Sequence, residues 1–242
     1  DPLWSRGLGD VYKRQGSYFG GVNYYPRSYT YFEKYYPKGI ENSLHGKRVR
    51  EFCRDSQGIL WIGTEDGGLN RFNLKTKDFS FFAPSAGFTN IHGLCLVDDK
   101  LWVGTFSKGL KVIDTRSGVV LKTYQKNDSP RSLIDNSIFA ICKTATGDIY
   151  LGTMFGLVRY NKQSDDFDRI PELNGKFIYD IKEDSAGNIW LATYANGVYC
   201  YNVNDRKWKN YVHDDKDNTS LPYNKVSSVF EDSHRQIWLT TQ

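Results

Sequence analysis

Apolar and polar positions along this chain repeat as a unit. In the clearest copy, LWIGTEDGGLNRFN (60–73), a run of β-forming residues meets a glycine-containing turn and a second run with alternating apolar residues follows. Two such runs around a glycine turn predict a β-hairpin. The unit returns at 101–114, 149–161 and 189–202, and its first half returns at 237–242.

Each unit predicts two more strands. The upstream strand has apolar residues three apart, such as Ile178 and Ile181, and precedes a polar turn such as DSQG (55–58). The downstream strand carries aromatic residues such as Trp208.

One aromatic residue anchors each unit, and successive anchors are about 40 to 48 residues apart: Trp61, Trp102, Tyr150, Trp190 and Trp238. Four antiparallel strands at this spacing form one propeller blade. The predicted fold class is therefore all-β, a β-propeller fragment of about five four-stranded blades, incomplete at the first and last.

The first residues do not fit the repeat. Residues 1–15 (DPLWSRGLGDVYKRQ) lack the pattern, and DVYKRQ resembles a translated sequencing adapter. We therefore predict that 1–15 is not native sequence and that 16–242 form a partial propeller domain. Its first blade is expected as two strands, at 21–25 and 29–36.

Connections between blades alternate in length. The long junctions are 125–136 and 213–224, both rich in Asn, Asp and Ser. Such residues form turns by side-chain hydrogen bonding, and exposed loops often carry binding residues. We expect these junctions to project from one face as recognition loops.

Composition narrows the classes of partner. The net charge is +4, and the 32 Lys and Arg residues are dispersed, so no basic patch for nucleic acid is predicted. There is no run of about 18 apolar residues, so any membrane attachment would come from parts of the protein outside this chain.

Two kinds of segment identify a family. DSQGILWIGTEDGGLNRFN (55–73) and EDSAGNIWLATYANGVYCYN (183–202) closely resemble the two-component regulator propeller repeat. NDSPRSLIDNSIFAI (127–141) and KDNTSLPYNKVSSVFED (216–232) resemble the junctions between its blades. The chain departs from the pattern where Ala192 and Thr240 replace Gly, where Tyr150 replaces Trp, and in blade three, which lacks its Asp-Gly turn.

This resemblance, which covers 16–242, implies a function. It implies the periplasmic, ligand-sensing propeller of a Bacteroidetes hybrid two-component system, with a histidine kinase and response regulator elsewhere in the protein. It further implies an oligosaccharide ligand, control of polysaccharide utilisation, and a homodimer. No catalysis is expected within this chain.

Two other functions remain open. One is a propeller enzyme of the lyase type, which would need a His/Glu or metal cluster on the central channel. The scattered His45, His92, His213 and His234 argue against such a cluster. The other is a passive protein-interaction propeller. No catalytic residue, cofactor or metal is predicted.

Aromatic residues in the turn after the Gly-Thr pair are the candidate ligand-binding residues. Aromatic rings can stack on the apolar face of a sugar, and polar neighbours can bond its hydroxyls. The candidates are Tyr18, Phe19, Phe106, Phe155, Tyr194 and Asn196. The alternative is that these rings pack between blades.

Cysteine and aspartate repeats have structural explanations. Cys53, Cys95 and Cys142 occupy one strand position in neighbouring blades, about 10 Å apart, which is too far for a disulfide. We expect small, buried residues there. The turn residues Asp55, Asp184 and Asp232 are predicted to accept backbone N–H bonds rather than to bind calcium.

Overall fold

The computed structural model describes residues 35–82 and 89–241 in full, and the strand backbone of 12–17 and 21–26. The chain divides into two units, 1–36 and 37–242. In these described residues the elements are strands, apart from a 3-10 turn at Pro171–Leu173. No helix there is long and apolar enough to cross a membrane.

The described part of the first unit contains one hairpin. Strand β1 (Tyr12–Ser17) pairs antiparallel with β2 (Gly21–Pro26). β1 thus includes part of the segment that we assigned to an adapter, and the origin of that segment stays a prediction. Most of the predicted strand at 29–36 lies outside the described residues, and Tyr35 and Tyr36 are not in a strand.

The second unit contains four four-stranded antiparallel sheets and one two-stranded sheet, each in chain order. Blade two comprises β3 (Val49–Arg54), β4 (Ile59–Thr64), β5 (Gly68–Asn73) and β6 (Phe79–Phe82). Blade three comprises β7 (Ile91–Val97), β8 (Lys100–Thr105), β9 (Leu110–Asp114) and β10 (Val120–Tyr124). Blade four comprises β11 (Ile138–Lys143), β12 (Ile149–Thr153), β13 (Gly156–Asn161) and β14 (Asp166–Arg169). Blade five comprises β15 (Ile178–Glu183), β16 (Ile189–Thr193), β17 (Val198–Asn202) and β18 (Lys207–Tyr211), and the half-blade comprises β19 (Val226–Glu231) and β20 (Ile237–Thr241). The four-stranded propeller blades are confirmed.

A β-bulge explains the unusual spacing of apolar residues in the inner strands. In a regular strand, residues three apart point to opposite faces. Each inner strand, however, shifts register after its first residue, as between Ile178 and Asp180. The same shift occurs in β3, β7, β11 and β19. The extra residue returns Ile181 to the face of Ile178, and both are buried.

The hydrophobic core lies between consecutive blades. Trp61 and Leu69 of blade two, for example, share a buried cluster with Ile91 and Leu101 of blade three. Similar clusters join blades three and four, four and five, and blade five and the half-blade. Consecutive inner strands are therefore neighbours, as in a propeller.

The predicted aspartate turns are confirmed, and they also fix the anchor tryptophans. Asp184 Oδ1 accepts the backbone N–H groups of Ala186 (3.0 Å) and Asn188 (2.8 Å). Its Oδ2 accepts the indole N–H of Trp190 at 2.8 Å. Asp55 with Trp61 and Asp232 with Trp238 repeat this arrangement. We call these the box turns and their aspartates the box aspartates.

The box turns lie at one end of the blades, which we call the box face. The turns between the second and third strands lie at the other end, which we call the junction face. Both long junctions end there, because Asn136 O accepts the N–H of Gly109 (3.0 Å) and Asn224 O accepts that of Gly197 (2.9 Å). The junctions therefore project from one face, as expected.

Candidate ligand-binding site

The inner strands of unit 37–242 surround a pocket at the junction face, which we call the axial pocket. Its volume is about 520 Å³. Residues of β3, β7, β11, β15 and β19 all line it, so it lies where the five inner strands converge. The second residue of each inner strand contributes to its wall: Arg50, His92, Phe139, Tyr179 and Ser227.

The β-bulges place these five residues. In every inner strand, the second residue is the one that the register skips: Phe139, for instance, lies between Ile138, which pairs with Thr153, and Ala140, which pairs with Gly152. A bulged residue has no cross-strand partner, and its side chain is redirected. The residues that sequence reasoning missed thus share one signal, which is the position directly after the apolar residue that begins each inner strand.

His92 is the most unusual of them. Its side chain is only 7% exposed, and its Nε2 lies 2.7 Å from Asn90 Oδ1. Because an amide oxygen only accepts, Nε2 carries the proton and Nδ1 keeps a lone pair. Among the described residues this buried Nδ1 has no hydrogen-bond partner. A buried polar atom without a partner indicates a place for a bound molecule.

The environment of His92 keeps it neutral. Burial, followed by the nearby charge of Arg50, lowers the pKa of His92 to about 4, against a smaller opposing effect of Glu65. The ring also packs against Phe139 at 4.6 Å and Phe106 at 5.7 Å between centroids. At neutral pH its free nitrogen is therefore a hydrogen-bond acceptor on an aromatic wall.

Two of the predicted aromatic residues belong to a continuous array on this face. Phe106 lies 6.0 Å from Phe139, which lies 4.5 Å from Phe177, and Phe177 stacks on Tyr194 at 5.4 Å. Tyr179 joins them, 4.9 Å from Phe177. We call these five rings the aromatic array. Phe106 is 39% exposed and Tyr194 45% exposed, so the two end members remain open to solvent.

The other predicted ligand-binding residues lie apart from the aromatic array or fall outside the residues that the structure describes. Phe155 is 52% exposed, and within the described part of the chain it has no ring partner. Asn196 is half-buried in the turn of Tyr194, where its backbone N–H bonds Thr193 Oγ1 at 2.9 Å. Tyr18 and Phe19 lie outside the described residues.

Charged side chains border the pocket and the array. Arg50 lies 5.3 Å over the ring of Tyr179, and Lys225 lies 5.0 Å over that of Tyr194. Asp180 accepts the N–H of Val229 at 3.0 Å, which links blade five to the half-blade. Hydrogen-bond donors and acceptors thus alternate with aromatic faces around one opening.

The positions of Glu51 and His92 bear on the alternative interpretation of the chain as a lyase-type propeller. Glu51 lines the same pocket as His92, and burial raises the pKa of Glu51. The structure therefore places one histidine and one glutamate on the wall of the same pocket, which their scattered positions in the sequence did not indicate. In the part of the chain that the structure describes, no three His, Cys, Asp or Glu side chains form a metal-binding group.

The four cysteines are free. Cys200 is buried, whereas Cys53, Cys95 and Cys142, which we expected to be buried, are only half-buried. Burial raises the pKa of Cys95 and of Cys142 to about 11, so both remain thiols at neutral pH.

Comparison with known proteins bears on the family. The family model for the two-component regulator propeller matches residues 43–66 and 172–195, which contain the inner hairpins of blades two and five. These two segments match the two-component regulator propeller repeat. The resemblance that the repeat motifs indicated is confirmed.

One curated relative and two solved structures describe the similarity further. Histidine kinase P4 of Formosa agariphila is 28% identical over 232 residues, covering 92% of this chain and 14% of that protein. The extracellular domain of a hybrid two-component system of B. thetaiotaomicron is 21% identical, with a TM-score of 0.58 over 86% of this chain and 33% of that one. Virginiamycin B lyase of Staphylococcus aureus, at 16% identity, has a TM-score of 0.59 over 81% of this chain and 62% of that one.

These structural similarities concern the fold. The extracellular domain of a two-component system and a lyase match this chain about equally well, so the fold does not distinguish between their functions.

Proposed function

We propose that this chain is part of the periplasmic, ligand-sensing propeller of a hybrid two-component regulator, and that its ligand is an oligosaccharide. The aromatic array beside the axial pocket is the observation that carries the proposal. Phe106 and Tyr194 are partly exposed, and an aromatic ring that is open to solvent can stack on a pyranose ring.

Polar groups would orient the sugar. Arg50 and Lys225 line the pocket and can donate hydrogen bonds to ring or hydroxyl oxygens. Ligand sites of this kind combine apolar walls with a few convergent polar groups. The similarity to a histidine kinase suggests that binding is transmitted to a kinase elsewhere in the protein, with control of polysaccharide utilisation as the output and a homodimer as the signalling form.

A calorimetric screen of the 242-residue chain tests this function. Neutral and acidic oligosaccharides from plant, algal and animal polysaccharides would be titrated at low ionic strength. We expect one class of oligosaccharide to bind and its monosaccharide units to bind much more weakly. Absence of binding by every oligosaccharide, from protein with an intact tryptophan fluorescence spectrum, would contradict the proposal and favour a passive interaction propeller.

A lyase is the second candidate, and the shared pocket of His92 and Glu51 favours it. Incubation of each bound oligosaccharide with excess protein, followed by mass spectrometry, separates the two functions. A sensor returns the oligosaccharide unchanged, whereas a lyase yields shorter, unsaturated products that disappear in the Glu51→Gln variant.

A further inference from the structure

A second cavity lies on the box face, between blades three and four. Its volume is about 640 Å³, larger than that of the axial pocket. Blade three contributes Trp102 and Val112 to its walls, and blade four contributes Ile149 and Tyr160. We call this cavity the box-face crevice.

A hydrogen bond closes the corresponding region at the next two blade junctions. These lie between blades four and five and between blade five and the half-blade. The box turn of blade four donates the N–H of Ala145 to Glu183 of blade five at 2.6 Å. The box turn of blade five likewise donates the N–H of Ser185 to Glu231 of the half-blade at 2.7 Å. Each glutamate ends the inner strand of the next blade.

Between blades three and four, both partners of this bond are replaced. The hairpin of β7 and β8 turns through only two residues, Asp98 and Asp99, because Val97 pairs directly with Lys100. The residue that ends the next inner strand is Lys143, and it reaches Asp98 at 3.3 Å. Blade three therefore lacks a box turn, and the space that the turn would fill is open.

Because blade three lacks a box turn, the indole N–H of Trp102 has no box aspartate to which it can donate. In blades two and five and in the half-blade, the anchor tryptophan donates its indole N–H to a box aspartate at 2.8 or 2.9 Å. Trp102 is the anchor of blade three, is 4% exposed and lines the crevice. Among the described residues its indole N–H has no hydrogen-bond acceptor.

The charges of the crevice favour an anion at that point. Of the three carboxylates that line it, Asp98 is paired with Lys143 and Asp168 with Arg159 at 3.4 Å, whereas Asp148 has no ion-pair partner in the described part of the chain. Lys100 and Lys162 also line it, and neither has an ion-pair partner in the described part of the chain. Around its apolar floor the crevice therefore has three carboxylates and five cationic side chains, an excess of positive charge: Lys100, Lys122, Lys143, Arg159 and Lys162.

We propose that the box-face crevice binds a small molecule with a carboxylate group. The carboxylate occupies the place that a box aspartate holds in the other blades and accepts the indole N–H of Trp102. Lys100 and Lys162 balance its charge, and the carbon skeleton packs against Val112 and Ile149. The crevice is thus a second site, on the face opposite the aromatic array.

Indole N–H resonances of the whole chain give a direct test. The sequence has six tryptophans, and the Trp102→Phe variant identifies the cross-peak of Trp102 in a ¹H–¹⁵N spectrum. Benzoate and D-glucuronate would be titrated as carboxylate probes, with benzamide and D-glucose as their neutral counterparts. We expect at least one carboxylate to shift the Trp102 cross-peak in a saturable manner, and both neutral probes to leave it in place.

Charge variants keep the test independent of any change to the tryptophan. The Lys100→Gln and Lys162→Gln double variant should bind the carboxylate about twofold to tenfold more weakly, as expected for removal of two partly exposed charges. Lys207→Gln, on the outer strand of blade five, is the matched control and should bind as the parent does. The proposal is overturned if neither carboxylate moves the Trp102 cross-peak, if the neutral probes move it as far, or if the double variant binds unchanged.

Discussion

Ala192 packs in one buried cluster with Val226, the first residue of the next inner strand. At the three preceding blade junctions the corresponding pair is a glycine and an isoleucine. A Cβ added to Gly152, for example, would lie 2.7 Å from Cγ2 of Ile178. Valine is smaller than isoleucine by the Cδ1 methyl group alone and keeps the Cβ and Cγ2 atoms that such a Cβ would meet.

This pairing predicts strong coupling between the two positions. Gly152→Ala should lower the free energy of unfolding by about 1–3 kcal/mol because its new methyl group overpacks against Ile178. The second change, Ile178→Ala, removes Cγ2 and should therefore cost less in the Gly152→Ala background than in the parent chain. Urea unfolding of the parent, both single variants and the double variant measures the coupling. Additive effects would contradict the volume exchange.

The box turns predict a second coupled pair. Blade four has Thr144 at the aspartate position and Tyr150 at the tryptophan position, so both partners of the indole bond are replaced together. Asp184→Ala should cost about 2–4 kcal/mol in blade five, because it removes bonds from two backbone N–H groups and the half-buried indole of Trp190. Asp205→Asn, in an exposed turn of the same blade, is the control and should change stability by less than about 0.5 kcal/mol.

Blade four offers the converse experiment. In the Thr144→Asp and Tyr150→Trp double variant, the new indole can donate to the new carboxylate. We expect the double variant to be more stable in urea than the sum of the two single changes predicts. A double variant that only adds the two single effects would show that the indole bond does not stabilise a blade.

His92 predicts a pH dependence of stability. Its pKa is lowered to about 4 by burial and then by Arg50, whereas an unfolded histidine titrates near 6.5. Below about pH 6.5 the unfolded chain binds a proton that the folded chain does not, so the stability that His92 contributes is lost as the pH falls. Between neutral pH and about pH 5 this loss amounts to about 2 kcal/mol.

The His92→Phe variant isolates that contribution, because the other titrating groups are shared with the parent. Urea unfolding at both pH values should show a smaller decrease for the variant than for the parent chain. Equal decreases in the two proteins would mean that His92 is not held neutral by burial.

Much of the fold could be predicted from the sequence, because hairpins are specified locally. The apolar residues three apart located the inner strands correctly, as in β15, which begins at Ile178. The box aspartates were recognised by their turn chemistry. Their indole bonds were not, because that bond depends on how the second strand pairs with the first.

The candidate site was predictable only in part. The turn of blade four is one residue shorter, so Met154 N bonds Ser137 O, just as Phe106 N bonds Asn90 O and Tyr194 N bonds Phe177 O. Met154, and not Phe155, is thus the structural counterpart of Phe106 and Tyr194. The pocket residues of the inner strands depend on the bulges, which the three-residue spacing of apolar residues reflects but which are recognised only from the pairing of the strands.

The central claim is that the aromatic array binds an oligosaccharide. The most direct measurement is calorimetric titration of a bound oligosaccharide into the Phe106→Ala and Tyr194→Ala double variant, with Phe155→Ala as the matched control on the same face. Loss of each stacked ring should weaken binding by about 0.5–1.5 kcal/mol, whereas the control should bind as the parent does. Unchanged affinity in a folded double variant would contradict the claim, and so would an equal loss of affinity in the control.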